Sequence, residues 1–309
     1  MIRFVANKDI NKQKWDRCVS DSVNGIVYAC SWYLDIVAPG WAALVEGDYK
    51  TVMPLPARKK FGVWYIFNPF FVQQLGVFGQ ECGSAIKVKE FLNAIPKQFK
   101  IIETNLNTHN KLEEWHQKDL GLTHHLQLIE PYEQNRKKFS ENAIRNIKKA
   151  ENRGIFVVSG GNPEVLIDAF KKTRGQELKK IKDSDYQTLV RLLYAALHKG
   201  QAILDMAYTS ENSFCAGAVF FETFHKSIFL FSATTEEGKN HGAMFCIIDN
   251  YIKRSSGREI VLDFEGSKIP GLARFYKSFG SKECVFLQVR KTRLPLVVKP
   301  LLKLYKFLR

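Results

Sequence analysis

Short apolar runs alternate along this chain with segments whose apolar residues recur every three to four positions, a pattern that predicts a mixed α/β molecule. In the first half, residues 2–5 read as a strand and 11–20 as a helix. A short helix over 31–37 follows, ended by Pro39-Gly40. Residues 41–45 and 51–58 are strand-like, joined by the turn Glu46-Gly47-Asp48-Tyr49, and 63–67 is another strand. The stretch Asn68-Pro69-Phe70-Phe71-Val72-Gln73-Gln74-Leu75-Gly76 is too rich in Pro and Gly for a regular ladder. Residues 84–95 read as a helix, 99–104 as a strand and 122–129 as a closing strand.

A basic helix links the halves. Ser140 is a good N-cap and Gly154 a good stop. Between them Ala143, Ile144, Ile147 and Ala150 form an apolar stripe, while Arg145, Lys148, Lys149 and Arg153 crowd another face. Like charges at this spacing repel, so that face is either a phosphate contact or a solvated surface. A strand over 155–158 and helices over 163–174 and 185–199 come next. Strands 202–208, 214–224 and 227–232 form an antiparallel meander with turns at Ser210-Glu211-Asn212 and His225-Lys226. A helix over 242–254, a strand over 259–264, a helix over 270–278 and a strand over 284–289 close the order. The expected organisation is a first domain over 1–135, a second over 136–292 and a tail over 293–309.

With 309 residues the chain fits two domains of about 150 residues. No apolar run approaches the ~20 residues that span a bilayer, and the opening residues lack the apolar core of a secretory signal. A cytoplasmic location is expected. In the tail, Lys299, Lys303 and Lys306 can share one face and Leu301, Leu304, Tyr305 and Leu308 another. Such a segment either lies in a membrane interface as a peripheral contact or docks on the first domain. The six cysteines are scattered, which argues against a zinc cluster or a disulfide scaffold and for no bound metal. They read as reduced core thiols; a nucleophilic Cys would need a partnered His, and no His lies in a recognisable motif. The net charge of +15 points to an anionic partner: a nucleotide-linked or other anionic small molecule, a nucleic acid such as tRNA, or an acidic membrane.

The densest candidate chemistry is Leu262-Asp263-Phe264-Glu265-Gly266-Ser267, a strand end that runs into a helix with Ser267 as its expected cap and Gly280 past its end. Ligand crevices of open sheets lie at the carboxyl ends of strands. Asp263 and Glu265, two apart, are expected to face the same way and to raise one pKa toward neutrality, as a proton-transferring base requires. They read equally as a capping and salt-bridging pair with Arg274 or Lys277, which are also candidate substrate ligands. Tyr276 is a candidate acid or a core aromatic. Before the helix at 242, Lys239, Asn240, His241, Gly242 and Ala243 either present backbone N–H groups to a phosphate or form a plain cap. Gln73 and Gln74 alternate, so one of them faces a cleft or both scaffold the loop. Arg145 and Lys149 are the candidate anion contacts of the basic helix.

Two helices, a meander, a helix, a strand, a helix and a last strand are similar to the order of an acetyltransferase-type domain, and the first half shows a similar order with a shorter front end. The chain resembles the FemABX-like branch of that superfamily. Three segments carry the likeness: Arg145-Asn146-Ile147-Lys148-Lys149-Ala150 leading to Gly154-Ile155-Phe156-Val157; Asp263-Phe264-Glu265-Gly266-Ser267 with Arg274-Phe275-Tyr276-Lys277-Ser278-Phe279-Gly280; and Gln73-Gln74-Leu75-Gly76. The resemblance implies two tandem acyl-CoA N-acyltransferase (GNAT)-like domains, each a mixed, mainly antiparallel sheet flanked by helices. It implies acyl or aminoacyl transfer from acyl-CoA or aminoacyl-tRNA to an amine, as family members do with peptidoglycan precursors. The first domain would bind the acceptor and the second house the reaction. Two departures stand out. There is no room for the long helical hairpin of some members, and Glu237-Gly238-Lys239-Asn240-His241-Gly242-Ala243-Met244 lacks the alternating glycines of a pyrophosphate loop. Other readings are a non-catalytic module that binds RNA or membrane, and an N-acyltransferase of envelope lipids.

Overall fold

The computed structural model describes residues 1–113, 120–176, 181–266 and 269–294. The chain divides into two units, the first formed by Met1–Asn24, Tyr28–Gly121 and the chain from Phe286, the second by Gly25–Val27 and Leu122–Val285.

In the first unit β1 (Ile2–Val5) leads to α1 (Lys12–Ser20), whose N-cap Asn11 accepts a bond from the Lys14 N–H at 3.0 Å. Next come α2 (Ser31–Val37), β2 (Ala42–Glu46) and β3 (Thr51–Leu55). The expected strand over 51–58 is broken: Pro56 has no N–H for a ladder, and β4 (Ala57–Lys60) restarts in a different sheet, paired with β5 (Val63–Ile66). The two-residue β6 (Phe78–Gly79), α3 (Ala85–Ala94) and β7 (Phe99–Asn105) complete the unit. One sheet has the order β1-β2-β3-β6; in the other, β7 pairs in parallel with β5 and antiparallel with residues 288–292.

The second unit starts with β8 (Leu120–Gln127), the short helix α4 (Tyr132–Arg136) and α5 (Glu141–Asn152). The expected boundary at 135/136 therefore lies inside this unit. Ser140 caps α5 as its position implied, and Ala143, Ile147 and Ala150 are buried on its inner face. Then follow β9 (Phe156–Ser159), α6 (Pro163–Lys172), α7 (Asp183–His198) and the meander β10 (Ala202–Tyr208), β11 (Phe214–Thr223) and β12 (Lys226–Thr234). The chain continues through α8 (Glu236–His241), α9 (Ala243–Ser255), β13 (Val261–Asp263), α10 (Pro270–Lys277) and β14 (Lys282–Thr292). From β8 the strand order is β8-β13-β12-β11-β10-β9, antiparallel except where β12 and β13 run parallel. Its main core joins α5 and α9 to the sheet: Ile147, Ile247, Ile248 and Tyr251 pack with Phe220, Phe229 and Phe264, and Phe220 stacks on Tyr251 at 3.8 Å. Ser267 lies outside the described residues; the N-cap of α10 is Ile269, which has no side-chain capping bond. Among the described residues no helix is long and apolar enough to cross a membrane.

The glycines of the candidate cofactor turn are structural. A Cβ on Gly238 would sit 2.1 Å from the Cys215 carbonyl oxygen, and one on Gly242, at φ 75°, would sit 2.6 Å from that of Asn146. Glycine lets α8 lie on β11 and α9 on α5. Gly238→Ala is expected to cost about 2 kcal/mol through overpacking, read as a lower urea midpoint; an unchanged midpoint contradicts the close packing.

Candidate functional site

The parallel strands β12 and β13 pair over only three positions, Lys226 with Val261, Ser227 with Leu262 and Ile228 with Asp263. β12 runs on to Thr234, but the chain leaves β13 at Asp263 and turns at Glu265, whose φ is 60°. Among the described residues no strand pairs with β12 on that side beyond Ile228. The sheet thus parts at the carboxyl ends of the parallel pair β12–β13, the position where open sheets hold ligands.

Asp263 sets this geometry. Its carboxylate is 1% exposed and accepts from the Thr123 hydroxyl, from the Glu265 N–H at 2.9 Å and from His125 Nε2 at 3.0 Å, with Lys226 Nζ at 3.5 Å. Burial opposes its ionisation, yet Lys226, His125 and Thr123 together outweigh burial and hold the carboxyl below the usual carboxylate range. The expected pair of like-facing carboxylates with one raised pKa is therefore corrected. Asp263 is an anchored anion rather than a proton-transferring base, and the positive φ at Glu265 breaks the alternation that would have aligned the two.

Glu265 stands where the strands part, together with Tyr276 from α10. Tyr276 is buried, stacks on Phe264 with centroids 5.2 Å apart and lies 5.6 Å from the His124 ring. Burial first, then the charge of Glu265, pushes its hydroxyl pKa up, against the exposed Arg174. Tyr276 is thus a core aromatic whose hydroxyl stays protonated. Arg174, in the turn after α6, acts on Tyr276 through its charge from a hundred residues away in the chain, and no local pattern in the sequence marked it. His124 is fully buried; burial lowers its pKa against the pull of Glu283, 3.9 Å away. Lys277 pairs with Glu283 at 2.6 Å rather than with Asp263 or Glu265, and Arg274 is exposed on α10.

The basic face of α5 borders a shallow cavity of about 680 Å³ lined by Arg145, Lys148, Lys149 and Arg153 with Phe139, Ile144, Asn152 and one carboxylate, Glu141. Among the described residues none of these four cations has a carboxylate within ion-pair distance, while Arg145 bonds Asn142 at 2.8 Å. The candidate cofactor residues lie differently. Lys239, Asn240 and His241 are in α8, Lys239 is paired with Glu236 at 2.6 Å, and Glu236 and Glu237 occupy the first turn, where they oppose a phosphate. Gly242 and Ala243 are buried in packing. Of the two readings of this turn, the plain helix cap agrees with this packing better than the phosphate cradle. In the first unit Gln74 is fully buried, donating to the Gln73 side chain at 2.7 Å and accepting from the Thr108 N–H at 3.1 Å, a scaffold for its loop; Gln73 is half-buried. Among the described residues no group of three or more His, Cys, Asp or Glu side chains is arranged to hold a metal ion.

No family model matches the sequence, and no curated protein does. Solved structures match over nearly the whole chain. The crystal structure of FemX is 14% identical with a TM-score of 0.63, covering 90% of this chain and 95% of that one. The structure of L-PGS from Bacillus licheniformis is 11% identical with a TM-score of 0.52, covering 91% and 92%. The C-terminal domain (DUF2156) of a putative lysylphosphatidylglycerol synthetase from Agrobacterium fabrum is 9% identical with a TM-score of 0.54, covering 90% and 91%. The chain shares the fold of these structures over nearly its whole length, so the FemABX-like resemblance holds at the level of fold, with the mixed α/β class that its element order implied.

Asp263→Ala strips a buried charge network of its anion and is expected to cost about 3–5 kcal/mol at neutral pH, measured by urea unfolding. Because its folded pKa is depressed, this contribution is complete above pH ~4 and is lost as pH falls further. The gap between wild type and variant should narrow below that pH; a gap that is small or independent of pH contradicts the anchoring role.

Proposed function

We propose that the protein is an N-acyltransferase whose second unit carries out the reaction, moving an aminoacyl group from aminoacyl-tRNA to the amine of a cell-envelope precursor. The parting of β12 and β13 directly before Glu265 carries this reading. In an extended slot of this kind an activated ester can lie beside β12 while an amine approaches from Glu265. The amine nitrogen attacks the carbonyl, a C–N bond forms and the C–O bond to the donor breaks. Glu265 takes the proton released by nitrogen, and the Tyr276 hydroxyl, kept protonated by burial, supplies one to the departing oxygen. Arg174 is a charge available to the developing oxyanion.

For the donor, the groove of Arg145, Lys148, Lys149 and Arg153 suits a phosphate backbone, while the acidic first turn of α8 and the packing of Gly238 and Gly242 count against coenzyme A at the usual loop. The first unit, with Gln73 at its surface loop, is assigned to the acceptor. The same basic groove is the feature that favours a second reading, an RNA-binding module without catalysis.

Transfer of labelled amino acids from bulk aminoacyl-tRNA to a peptidoglycan precursor tests the proposal. Glu265→Gln should lower transfer by about a hundredfold or more with unchanged melting, and full activity in that variant removes Glu265 as the base. Lys148→Glu with Lys149→Glu should weaken tRNA binding and flatten its salt dependence. Binding without transfer supports the module reading. A melting shift with acyl-CoA but none with tRNA overturns the donor.

A further inference from the structure

Three adjacent strands of the second unit carry a cysteine, a histidine and an aspartate in one row. Cys284 is on β14, His125 on β8 and Asp263 on β13, and His125 stands directly opposite Asp263 in the ladder. The His125 ring hydrogen-bonds the Asp263 carboxylate at 3.0 Å; on β14 Glu283 meets His124 at 3.9 Å, so the next residue, Cys284, shares the face of His125 on the neighbouring strand. Thr123 fixes the second oxygen of Asp263, and Lys226 lies 3.5 Å from the first. His124, the next residue along β8, meets Tyr276, and successive strand residues point to opposite faces, so the row lies across the sheet from Tyr276. Cys284 is partly exposed, with Sγ 3.9 Å from the Lys282 carbonyl oxygen.

We propose that Cys284, His125 and Asp263 form a nucleophilic thiol centre, separate from the Glu265–Tyr276 site, that reacts with soft electrophiles and exchanges with small-molecule disulfides. A thiol becomes a nucleophile when a base holds its proton, and the base works when a third group fixes its ring and stabilises its charged form. Asp263 is suited to that task because it is buried, ionised and tied by Thr123. In exchange, the Cys284 sulfur attacks one sulfur of the disulfide; a new S–S bond forms as the old one breaks. The departing thiolate then takes the proton that His125 received from Cys284, leaving neutral imidazole and a free small thiol. The electrostatics agree. The His125 hydrogen bond outweighs burial and lowers the Cys284 thiol pKa, Lys226 assists and Asp263 opposes. Burial pulls His125 down, but Asp263 and Cys284 hold it above its ordinary value against Lys226.

The other cysteines supply internal controls. Cys18, Cys30, Cys82 and Cys215 are buried, and Cys246 is partly exposed with a thiol that burial pushes up to about 11. The test is alkylation of the folded full-length chain by iodoacetamide, followed for each cysteine by mass spectrometry between pH ~5 and ~9, with oxidised glutathione as a second probe. Cys284 should react at least about tenfold faster than Cys246 near neutral pH, with a midpoint below the ~8.5 of an ordinary thiol, and should acquire the glutathione adduct first. His125→Gln should move the midpoint to that ordinary value or above and slow the neutral-pH reaction about tenfold, whereas a merely exposed thiol would be insensitive to it. A wild-type midpoint at or above ~8.5, or a Cys284 rate no greater than that of Cys246, overturns the proposal even if the His125 variant does not fold. Acyl transfer plays no part in either readout, so the two proposals fail separately.

Discussion

One buried anion governs the carboxyl edge of the second unit. Asp263 ends the parallel pair that β12 and β13 form in that unit, and its charge gathers the polar groups beside it. Lys226 and His125 reach it from the two flanking strands, Thr123 from the same strand as His125, and the Glu265 N–H closes a turn onto it. An ionised carboxylate inside a protein is costly unless charge and hydrogen bonds surround it, and here four donors do so. The turn held by that bond puts Glu265 at φ 60°, out of the strand and toward the side of β12 that, among the described residues, has no strand partner beyond Ile228. The same carboxylate orients His125 toward Cys284. The two proposed chemistries, on opposite faces of the sheet, thus share one anchor.

Around that edge, packing decides what a ligand can use. Gly238 and Gly242 have no side chains because Cys215 and Asn146 occupy the space, so the helix pair α8 and α9 closes the position where a phosphate loop was expected. The cations of α5 remain at a surface cavity, since that helix buries Ala143, Ile147 and Ala150 on its other side. A large anion held along the outside of α5 fits this arrangement better than a compact pyrophosphate gripped at a helix start.

Local signals carried much of the fold in the sequence. The Ser140 cap, the apolar stripe of α5 and the meander follow from spacing and capping chemistry, the helix after the acidic strand from its Pro270 start and apolar spacing, and the fold class from their order. What the sequence did not contain was long-range pairing. Pro56 splits an apparently continuous strand between two sheets, and β8, which pairs with β13, moves the unit boundary upstream of residue 135. The outer half of β14 pairs with β7 for the same reason. At the site, Glu265 and Tyr276 were legible as polar groups at a strand end and on the next helix. The alignment of Asp263 with Glu265 was not, because alternation fails at one residue of positive φ. His125 and Cys284 carried no motif at all; their partnership exists only through strand register across well over a hundred residues.

The most direct measurement is an NMR titration of the Asp263 side-chain carboxyl in the folded protein, assigned with Asp263→Asn. An anchored anion ionises below the ordinary ~3.9 of an aspartate, so its signal should remain that of the carboxylate as neighbouring surface acids protonate. A midpoint at or above ~3.9 would contradict the central claim, since the carboxyl could then not be the charge that holds Lys226, His125 and the Glu265 turn together.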